Sequence, residues 1–204
     1  MIQAFTHTKI SKEEISLMEI EEFKGRIITI LSLEEANKAV SYLQKFSIVG
    51  IDTETRPCFR KGKSYIVSLL QVSTFDTCFL FRLNHIGMPD SLVKLLQSES
   101  TTKVGLSLRD DFNALRKRKE INPANYIDLQ KMVGAFGIEE FSLQKIYAII
   151  FGKKISKRQR LTNWEADTLT DSQKKYAALD AWACLNIYNY LSQATFETRI
   201  NEAL

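Results

Sequence analysis

The sequence predicts a single α/β domain in which helices flank a β-sheet of mixed strand direction. Runs typical of strands dominate the first half, and two of them are spaced as a hairpin, which is an antiparallel pair. Strand and helix patterns alternate in the middle, and helices dominate the last third. The 204 residues, 45% of them hydrophobic, suffice for one core. We therefore expect one domain over residues 1–204, with a polar arm at 1–24 and a core at 25–192.

Four runs rich in β-branched and aromatic residues predict strands in the first half: RIITIL (26–31), SIVGIDTE (47–54), SYIVSLLQVST (64–74) and DTCFLFRL (76–83). A turn near Phe75 joins the last two as a hairpin. Between the first two, Ser32 and Glu35 match a capping box, and apolar residues then recur at helical spacing as far as Leu43. The stretch at 11–23 predicts a short helix or an arm laid on the domain.

The second half predicts one short strand among helices. In chain order these elements are a helix (90–98), a strand (103–107), three helices (110–118, 125–137 and 142–152), a basic loop (153–164) and a long helix (171–193). Gly137 and Gly152 end two of the helices. Thr170 and Gln173 match a second capping box, at the start of the last helix.

Composition disfavours several classes of protein. The three cysteines lie far apart with no CxxC pair, and the two histidines form no ligand pattern with them, so neither a disulfide framework nor a structural zinc site is expected. The sequence contains no run of about 18 apolar residues, and its first 14 residues hold no signal-peptide stretch. We expect a cytoplasmic protein with no membrane partner and no organic cofactor. A net charge of +4 permits a nucleic-acid partner without requiring one.

Two acidic residues at the end of the second predicted strand raise the question of function. Asp52 and Glu54 share a parity, so both point to one face of the strand. Like charges side by side are destabilising unless something offsets them. An acidic strand end facing solvent would also explain the pair, so the interpretation depends on further acids.

Two other segments supply such acids. Asp180 follows Tyr176 by four residues on one face of an otherwise apolar helix, and a buried carboxylate needs a hydrogen-bond partner or a metal. A tyrosine hydroxyl bound to a lone aspartate would be sufficient for that. Asp110 and Asp111 begin another predicted helix, where acids also act as ordinary partners of the helix dipole.

Convergence of these acids would require a cation. Only oxygen ligands are available, which favours Mg²⁺ or Mn²⁺. Two such ions about 3.5–4 Å apart would activate a water molecule and stabilise the leaving oxygen of a phosphodiester.

The order of these motifs resembles the DEDD superfamily of 3′→5′ exonucleases, in its tyrosine subtype, which includes RNase D and the Werner syndrome exonuclease domain. The tripeptide 52–54 matches the Asp-x-Glu motif, and the predicted hairpin follows it. The ninth position counted from Lys103 is Asp111, which matches the second motif, although the adjacent Asp110 leaves that register open by one residue. Tyr176 and Asp180 match the third motif, Tyr-x-x-x-Asp.

The resemblance extends from about Arg26 to Leu191, nearly the whole chain. The histidine subtype would have His at the position of Lys175, so the tyrosine subtype is indicated. Many RNase D proteins have a second nucleic-acid-binding domain after the nuclease core, and we expect none in this chain. The core at 25–192 would then be the catalytic core of a single exonuclease domain.

The resemblance implies an RNase H-like fold and hydrolysis of DNA or RNA 3′ ends to 5′-mononucleotides with two Mg²⁺ or Mn²⁺ ions. It implies that Asp52 bridges both ions, that Glu54 and Asp180 complete the shell of the first, and that Asp111 holds the second. Tyr176 would orient the attacking water by a hydrogen bond, because a phenol with an ordinary pKa of about 10 is a poor base at neutral pH.

An acidic centre repels a polyanionic substrate, so basic residues must surround it. Three basic runs are present: FRKGK (59–63), LRKRK (115–119) and KKISKRQR (153–160). A solvated surface is the usual explanation of such a run and is favoured for the second. From the third we expect Lys157, Arg158 and Arg160 to bind phosphates, and we expect Thr53 to contact nucleic acid as well. Trp164 could stack on a base, but core packing is the favoured interpretation.

Two other classes of function remain as alternatives. The same fold could bind nucleic-acid ends with weak or no catalysis, although degenerate members usually lose an acid and none is missing here. A metal phosphohydrolase for small molecules would have a closed pocket and no basic rim, which the three basic runs disfavour. The sequence does not discriminate DNA from RNA, because that depends on contacts to the 2′ position.

Overall fold

The computed structural model describes residues 8–60, 62 and 64–203, with side chains described as far as residue 193. One sheet contains six strands: β1 (Arg26–Ile30), β2 (Ile48–Glu54), β3 (Leu69–Ser73), β4 (Thr77–Arg82), β5 (Thr102–Gly105) and β6 (Tyr126–Asp128). The strand order is β1-β4-β3-β2-β5-β6. β3 is antiparallel to β2 and β4, and the other neighbours are parallel. The predicted mixed sheet and its hairpin, β3–β4, are confirmed.

Eight α-helices lie within the described residues: α1 (Lys12–Leu17), α2 (Leu33–Leu43), α3 (Leu83–Ile86), α4 (Asp90–Gln97), α5 (Leu108–Arg116), α6 (Leu129–Met132), α7 (Leu143–Phe151) and α8 (Asp171–Ala203). Both predicted capping boxes form. Glu35 N–H donates to Ser32 Oγ at 3.2 Å, and Gln173 N–H donates to Thr170 Oγ1, also at 3.2 Å. None of the helices in this part of the chain is both long and apolar enough to cross a membrane.

The prediction of one helix over 125–137 is wrong at its start. Tyr126–Asp128 instead pairs with β5 as the edge strand β6, and helix α6 begins only after it. A 3₁₀ turn, Val133–Phe136, then leads to Gly137, whose φ of 77° ends the segment as expected. A strand of three residues is too short to show an alternating pattern, so pairing with β5 decides its conformation.

Three smaller differences concern element boundaries. The first strand of the hairpin begins at Leu69, five residues later than the predicted start at Ser64. The four-residue helix α3 was not expected. Helix α8 continues to Ala203, whereas the prediction ended it at residue 193.

Helices cover both faces of the sheet and bring β2 against α8. Apolar residues of the central strands pack against α2, α4 and α5 on one face, and against α7 and α8 on the other. Gly50 permits a very close approach on the second face, because a Cβ atom there would lie 2.0 Å from the backbone oxygen of Ala181. This close contact between β2 and α8 lies beside the acidic residues that both elements carry.

Candidate active site

The predicted catalytic residues of β2 and α8 meet where these two elements cross. Gly50, Asp52 and Glu54 alternate along β2, so they share the face that packs against α8. Tyr176 and Asp180 lie one turn apart on α8 and line the same cleft as Asp52 and Glu54. The close packing at Gly50 thus brings together residues that are far apart in the sequence.

Asp52, Glu54 and Asp180 form one carboxylate cluster. Each contributes an oxygen atom, and these three atoms lie within 4.8 Å of one another. Burial, reinforced by the neighbouring acids, raises the pKa of Asp52 well above its ordinary value and that of Glu54 to about 9. Burial raises the pKa of Asp180 to about 7, although a hydrogen bond from Tyr176 opposes the shift. In the absence of a cation the cluster therefore retains protons near neutral pH.

The cluster fits a divalent cation. Its donors are carboxylate oxygens, which Mg²⁺ and Mn²⁺ prefer. Asp180 Oδ1 is buried and has no hydrogen-bond partner among the described residues. A buried acceptor without a partner is unfavourable, and a cation bound by Asp52, Glu54 and Asp180 would satisfy this atom and offset the repulsion.

Asp111 lies beside this cluster, on the first turn of α5. Its Oδ1 accepts a hydrogen bond from the hydroxyl of Thr53 at 2.5 Å. Burial raises the pKa of Asp111 to about 6 in spite of that bond, and Asp111 in turn raises the pKa of Asp52. Asp110 is exposed to solvent. Of the two adjacent aspartates, Asp111 is therefore the one that faces the acids.

Asp128, which no sequence motif indicates, holds the start of α5. It ends β6, and its two carboxylate oxygens each accept a hydrogen bond at 3.0 Å, from the N–H groups of Ser107 and Leu108. Ser107 adopts a φ of 60°, which is unfavourable for a residue with a side chain. The carboxylate of Asp128 thus fixes where α5 begins and thereby where Asp111 lies. Its role depends on the pairing of β6 with β5, which the sequence did not indicate.

Tyr176 packs against Trp164 and is kept protonated. The two ring centroids lie 6.0 Å apart, and Trp164 is fully buried. Trp164 is thus a core residue and offers no surface on which a base could stack. Burial, together with the charges of Asp180 and Glu54, raises the pKa of Tyr176 above its ordinary value. The phenol can therefore donate a hydrogen bond but does not act as a base at neutral pH.

A cleft of about 280 Å³ opens over the carboxylate cluster. Besides the acids and Tyr176, its lining includes Cys184 of α8 and residues from other parts of the chain: Leu106, Ser142, Leu143, Gln144 and Ile155. Gln144 Nε2 donates to the backbone oxygen of Ile155 at 2.7 Å, which joins the first turn of α7 to the start of the basic loop. This wall was missed from the sequence, because the first turn of an apolar helix carries no recognisable motif.

Two of the three predicted phosphate ligands line this cleft. Lys157 and Arg160 lie along it, where the charge of Lys157 lowers the pKa of Asp180 and that of Arg160 lowers the pKa of Glu54. Arg158 instead lines a second pocket of about 300 Å³, which borders the other side of Tyr176. Thr53 also lines the cleft, but its hydroxyl is occupied by Asp111.

The other two basic runs lie outside this cleft or outside the described residues. Lys61 and Lys63 of the first run belong to the part of the chain that the structure does not describe. In the second run, Arg118 donates to the backbone oxygen of Val67, and Lys119 pairs with Asp90 at 2.5 Å. These contacts are those of an ordinary surface run.

Comparison with known proteins identifies relatives along most of the chain. A family model described as 3′-5′ exonuclease matches residues 27–195. The chain is 31% identical over 153 residues, 71% of its length, to the bifunctional 3′-5′ exonuclease/ATP-dependent helicase WRN of Mus musculus. It is 33% identical over 159 residues, 76% of its length, to exonuclease 3′-5′ domain-containing protein 2 of Drosophila melanogaster. It spans 11% of the mouse protein and 27% of the fly protein.

A solved structure shows the same fold. The crystal structure of Escherichia coli RNase D, described as an exoribonuclease involved in structured RNA processing, superposes with a TM-score of 0.73 at 22% sequence identity. The match covers 85% of this chain and 46% of that one.

Proposed function

The chain belongs to the 3′-5′ exonuclease family, in its DEDD, RNase D-like branch, and we propose that it shortens nucleic-acid 3′ ends stepwise by a two-metal-ion mechanism. It is a nuclease, a hydrolase of phosphodiester bonds. We further propose that the products are 5′-mononucleotides, that two ions take part, and that the residues described below perform the reaction. Residues 25–192 would form the catalytic core, and residues 1–24 an arm.

The observation that carries the proposal is the convergence of three carboxylates from two elements. Oxygens of Asp52, Glu54 and Asp180 lie within 4.8 Å of one another in a cleft with a basic rim. Three acids with raised pKa values at one point are unfavourable for folding, so a cation is the simplest reason for their presence. A non-catalytic end-binding module would have no need for this arrangement.

In this mechanism each carboxylate would act as a ligand. Asp52, Glu54 and Asp180 would hold one cation, and Asp111 together with Asp52 would hold the second. When bound, Mg²⁺ or Mn²⁺ would lower the pKa of a coordinated water from about 15.7 toward 7 and stabilise the leaving oxygen. The Thr53 hydroxyl fixes the direction of the Asp111 carboxylate.

Tyr176, Lys157 and Arg160 act on the substrate side of the cleft. The protonated Tyr176 hydroxyl donates a hydrogen bond that orients the attacking water, since its raised pKa excludes a role as base. Lys157 and Arg160 bind phosphate oxygens and offset the repulsion between the acids and a polyanion.

The experiment is a cleavage assay with 5′-labelled single-stranded DNA and RNA of one sequence. Mg²⁺ or Mn²⁺ should produce a descending ladder of labelled products, whereas Ca²⁺ or excess EDTA should give none. Asp180→Asn, which keeps the shape of the side chain and removes its charge, should be inactive. Immediate release of a labelled mononucleotide would contradict the polarity, and full activity in EDTA would contradict the metal mechanism.

A further inference from the structure

The segment before β1 is bonded to the first residues of the basic loop. Ile20 and Lys154 form a parallel β-bridge. The N–H of Glu21 donates to Lys154 O, and the N–H of Lys154 donates to Glu19 O, both at 2.9 Å. Lys154 Nζ also donates to Ser16 O at 2.5 Å. Residues 19–21 and Lys154 are therefore joined through their backbones.

The side chain of Glu21 lies at the centre of this contact and is 9% exposed. Its Oε2 accepts a hydrogen bond from the Tyr147 hydroxyl at 2.9 Å, and its Oε1 accepts one from Lys153 Nζ at 3.2 Å. Burial alone would raise the pKa of Glu21, but the bonds from Tyr147, the Glu22 N–H and Lys153 outweigh it and lower the pKa. Glu21 is thus ionised at neutral pH, and its bonds are of the stronger, charge-assisted kind.

Both partners of Glu21 lie next to segments of the chain that line the catalytic cleft. Tyr147 lies on α7, one turn after Gln144, which lines the cleft and bonds to Ile155 O. Lys153 lies two residues before Ile155, which is buried in the cleft wall, and four residues before Lys157. The carboxylate of Glu21 therefore connects the arm to both segments of this wall, at a point outside the cleft itself.

We propose that Glu21 is a positioning residue for substrate binding. By holding α7 and residues 153–155 in one relation, it directs Lys157 and Arg160 toward the acidic cleft before the nucleic acid arrives. Ordering these long side chains in advance reduces the entropy that binding must otherwise remove. The inference rests on the proposed function, in which Lys157 and Arg160 bind phosphates, and Glu21 acts only through them.

The first test compares Glu21→Ala with Glu22→Ala, which removes the same charge from the exposed neighbouring side chain. KM and kcat are measured with a 5′-labelled single-stranded oligonucleotide and Mn²⁺, and Kd by fluorescence anisotropy with Ca²⁺. Glu21→Ala should raise KM and Kd about tenfold and change kcat less than about twofold, because uniform binding is lost. Glu22→Ala should change neither. Glu21→Gln, which keeps the shape and one acceptor for Tyr147, should give a smaller rise, and circular dichroism at the assay temperature verifies folding.

The second test is a mutant cycle that asks whether Glu21 acts through the loop. In a Lys157→Ala, Arg160→Ala background, Glu21→Ala should raise Kd no further, since the side chains it positions are absent. An equal rise in that background, or no rise in the wild-type background, would overturn the inference while leaving the defect of the loop variant intact. A loop variant with unaltered Kd would instead contradict the phosphate-binding role in the proposed function.

Discussion

The hydroxyl of Thr53 donates a hydrogen bond to Asp111 Oδ1 at 2.5 Å and so joins the end of β2 to the first turn of α5. Thr53 stands between Asp52 and Glu54, and alternate residues of a strand point to opposite faces. The end of β2 therefore presents two carboxylates to α8 and one hydroxyl to α5. The Asp-x-Glu tripeptide thus organises both sides of the site, with its middle residue holding the fourth acid.

Replacing Thr53 with Val should lower exonuclease activity by about tenfold or more, because groups that orient metal ligands typically contribute about 10–100-fold. Valine keeps the branched shape but removes the donor, so the pKa of Asp111, which the bond from Thr53 lowers, should rise. Initial rates over a series of Mn²⁺ concentrations test this, and high Mn²⁺ should restore part of the activity. Thr53→Ser keeps the hydroxyl and serves as the control; an equal loss in both variants would assign the effect to packing.

Asp111→Asn should abolish cleavage, whereas Asp110→Asn should leave most of it. Asp111 is turned toward Asp52 and bonded to Thr53, while Asp110 is exposed on the same turn. The two variants remove the same charge at adjacent positions of one helix. They differ only in whether that side chain faces the other acids or the solvent. Single-turnover rates should differ by more than about 100-fold, since the loss of a ligand exceeds that of an orienting partner. The reverse order would place the second-motif ligand at Asp110.

The residues that could be predicted from the sequence are those whose local pattern carries chemistry. Asp52 and Glu54 share a strand face, Tyr176 and Asp180 share a helix face, and each pair is local in the sequence. The fold class could also be predicted, because the order of strands and helices is read from local patterns in the sequence. Convergence of the two pairs needed the family resemblance, because the approach of β2 to α8 depends on Gly50 and Ala181, which have no chemical signature.

The residues that were missed act through contacts between distant segments. Asp128 holds the start of α5 only because β6 pairs with β5 at the sheet edge. Glu21 reaches Tyr147 and Lys153 only because the segment before it, with Ile15 and Met18, packs against α7. No periodicity in the sequence indicates such pairings. From the sequence alone, Asp128 and Glu21 therefore cannot be distinguished from ordinary charged surface residues.

In EDTA the protein should become less stable as the pH rises from about 4 to about 9. The pKa of Asp180 is raised from 3.8 to about 7, and that of Glu54 from 4.5 to about 9. Between the unfolded and folded values the folded state binds more protons, so the free energy of unfolding falls with increasing pH. The contribution of these two carboxyl groups to the free energy of unfolding is complete at a pH below their pKa values in the unfolded chain. It is lost as the pH rises through their pKa values in the folded protein.

Thermal unfolding in EDTA at a series of pH values measures this effect. Residue 54 cannot ionise in Glu54→Gln, so the melting temperature of this variant should depend less on pH between 4.5 and about 9, where Glu54 is protonated in the folded state and ionised in the unfolded state. Adding Mn²⁺ at alkaline pH should restore stability, because the ionised cluster binds the cation. A melting temperature that rises over this pH range would contradict the raised pKa values.

Gly50→Ala should reduce both stability and activity. A Cβ at Gly50 would lie 2.0 Å from Ala181 O, so α8, with Tyr176 and Asp180, must move away from β2. Such overpacking costs about 1–3 kcal/mol. Gly134→Ala is the control, since no described atom outside its own turn lies within 4 Å of the place that its methyl group would occupy; it should leave activity unchanged. Urea denaturation and initial rates test both variants, and retention of full activity by Gly50→Ala would show that the site tolerates separation of the two elements.

Two residues of the basic loop should bind the substrate at the cleft, and a third should not. Lys157 and Arg160 line the cleft, whereas Arg158 lines the pocket on the other side of Tyr176. Alanine at both cleft positions should raise KM strongly and change kcat little, because these side chains bind the substrate equally before and during the reaction. Arg158→Ala should raise KM much less.

The salt dependence of binding separates these contacts from a general effect of charge. Each phosphate contact with a single strand releases counterions and contributes about 0.7 to the slope of log K against log salt. Removing Lys157 and Arg160 should flatten that slope by about 1.4, while Arg158→Ala, which removes the same kind of charge from the same loop, should leave it nearly unchanged. Equal flattening by Arg158→Ala would mean that the strand also crosses the second pocket. A fall in kcat at constant KM would instead mean that Lys157 or Arg160 stabilises the transition state. The proposed mechanism gives neither residue that role.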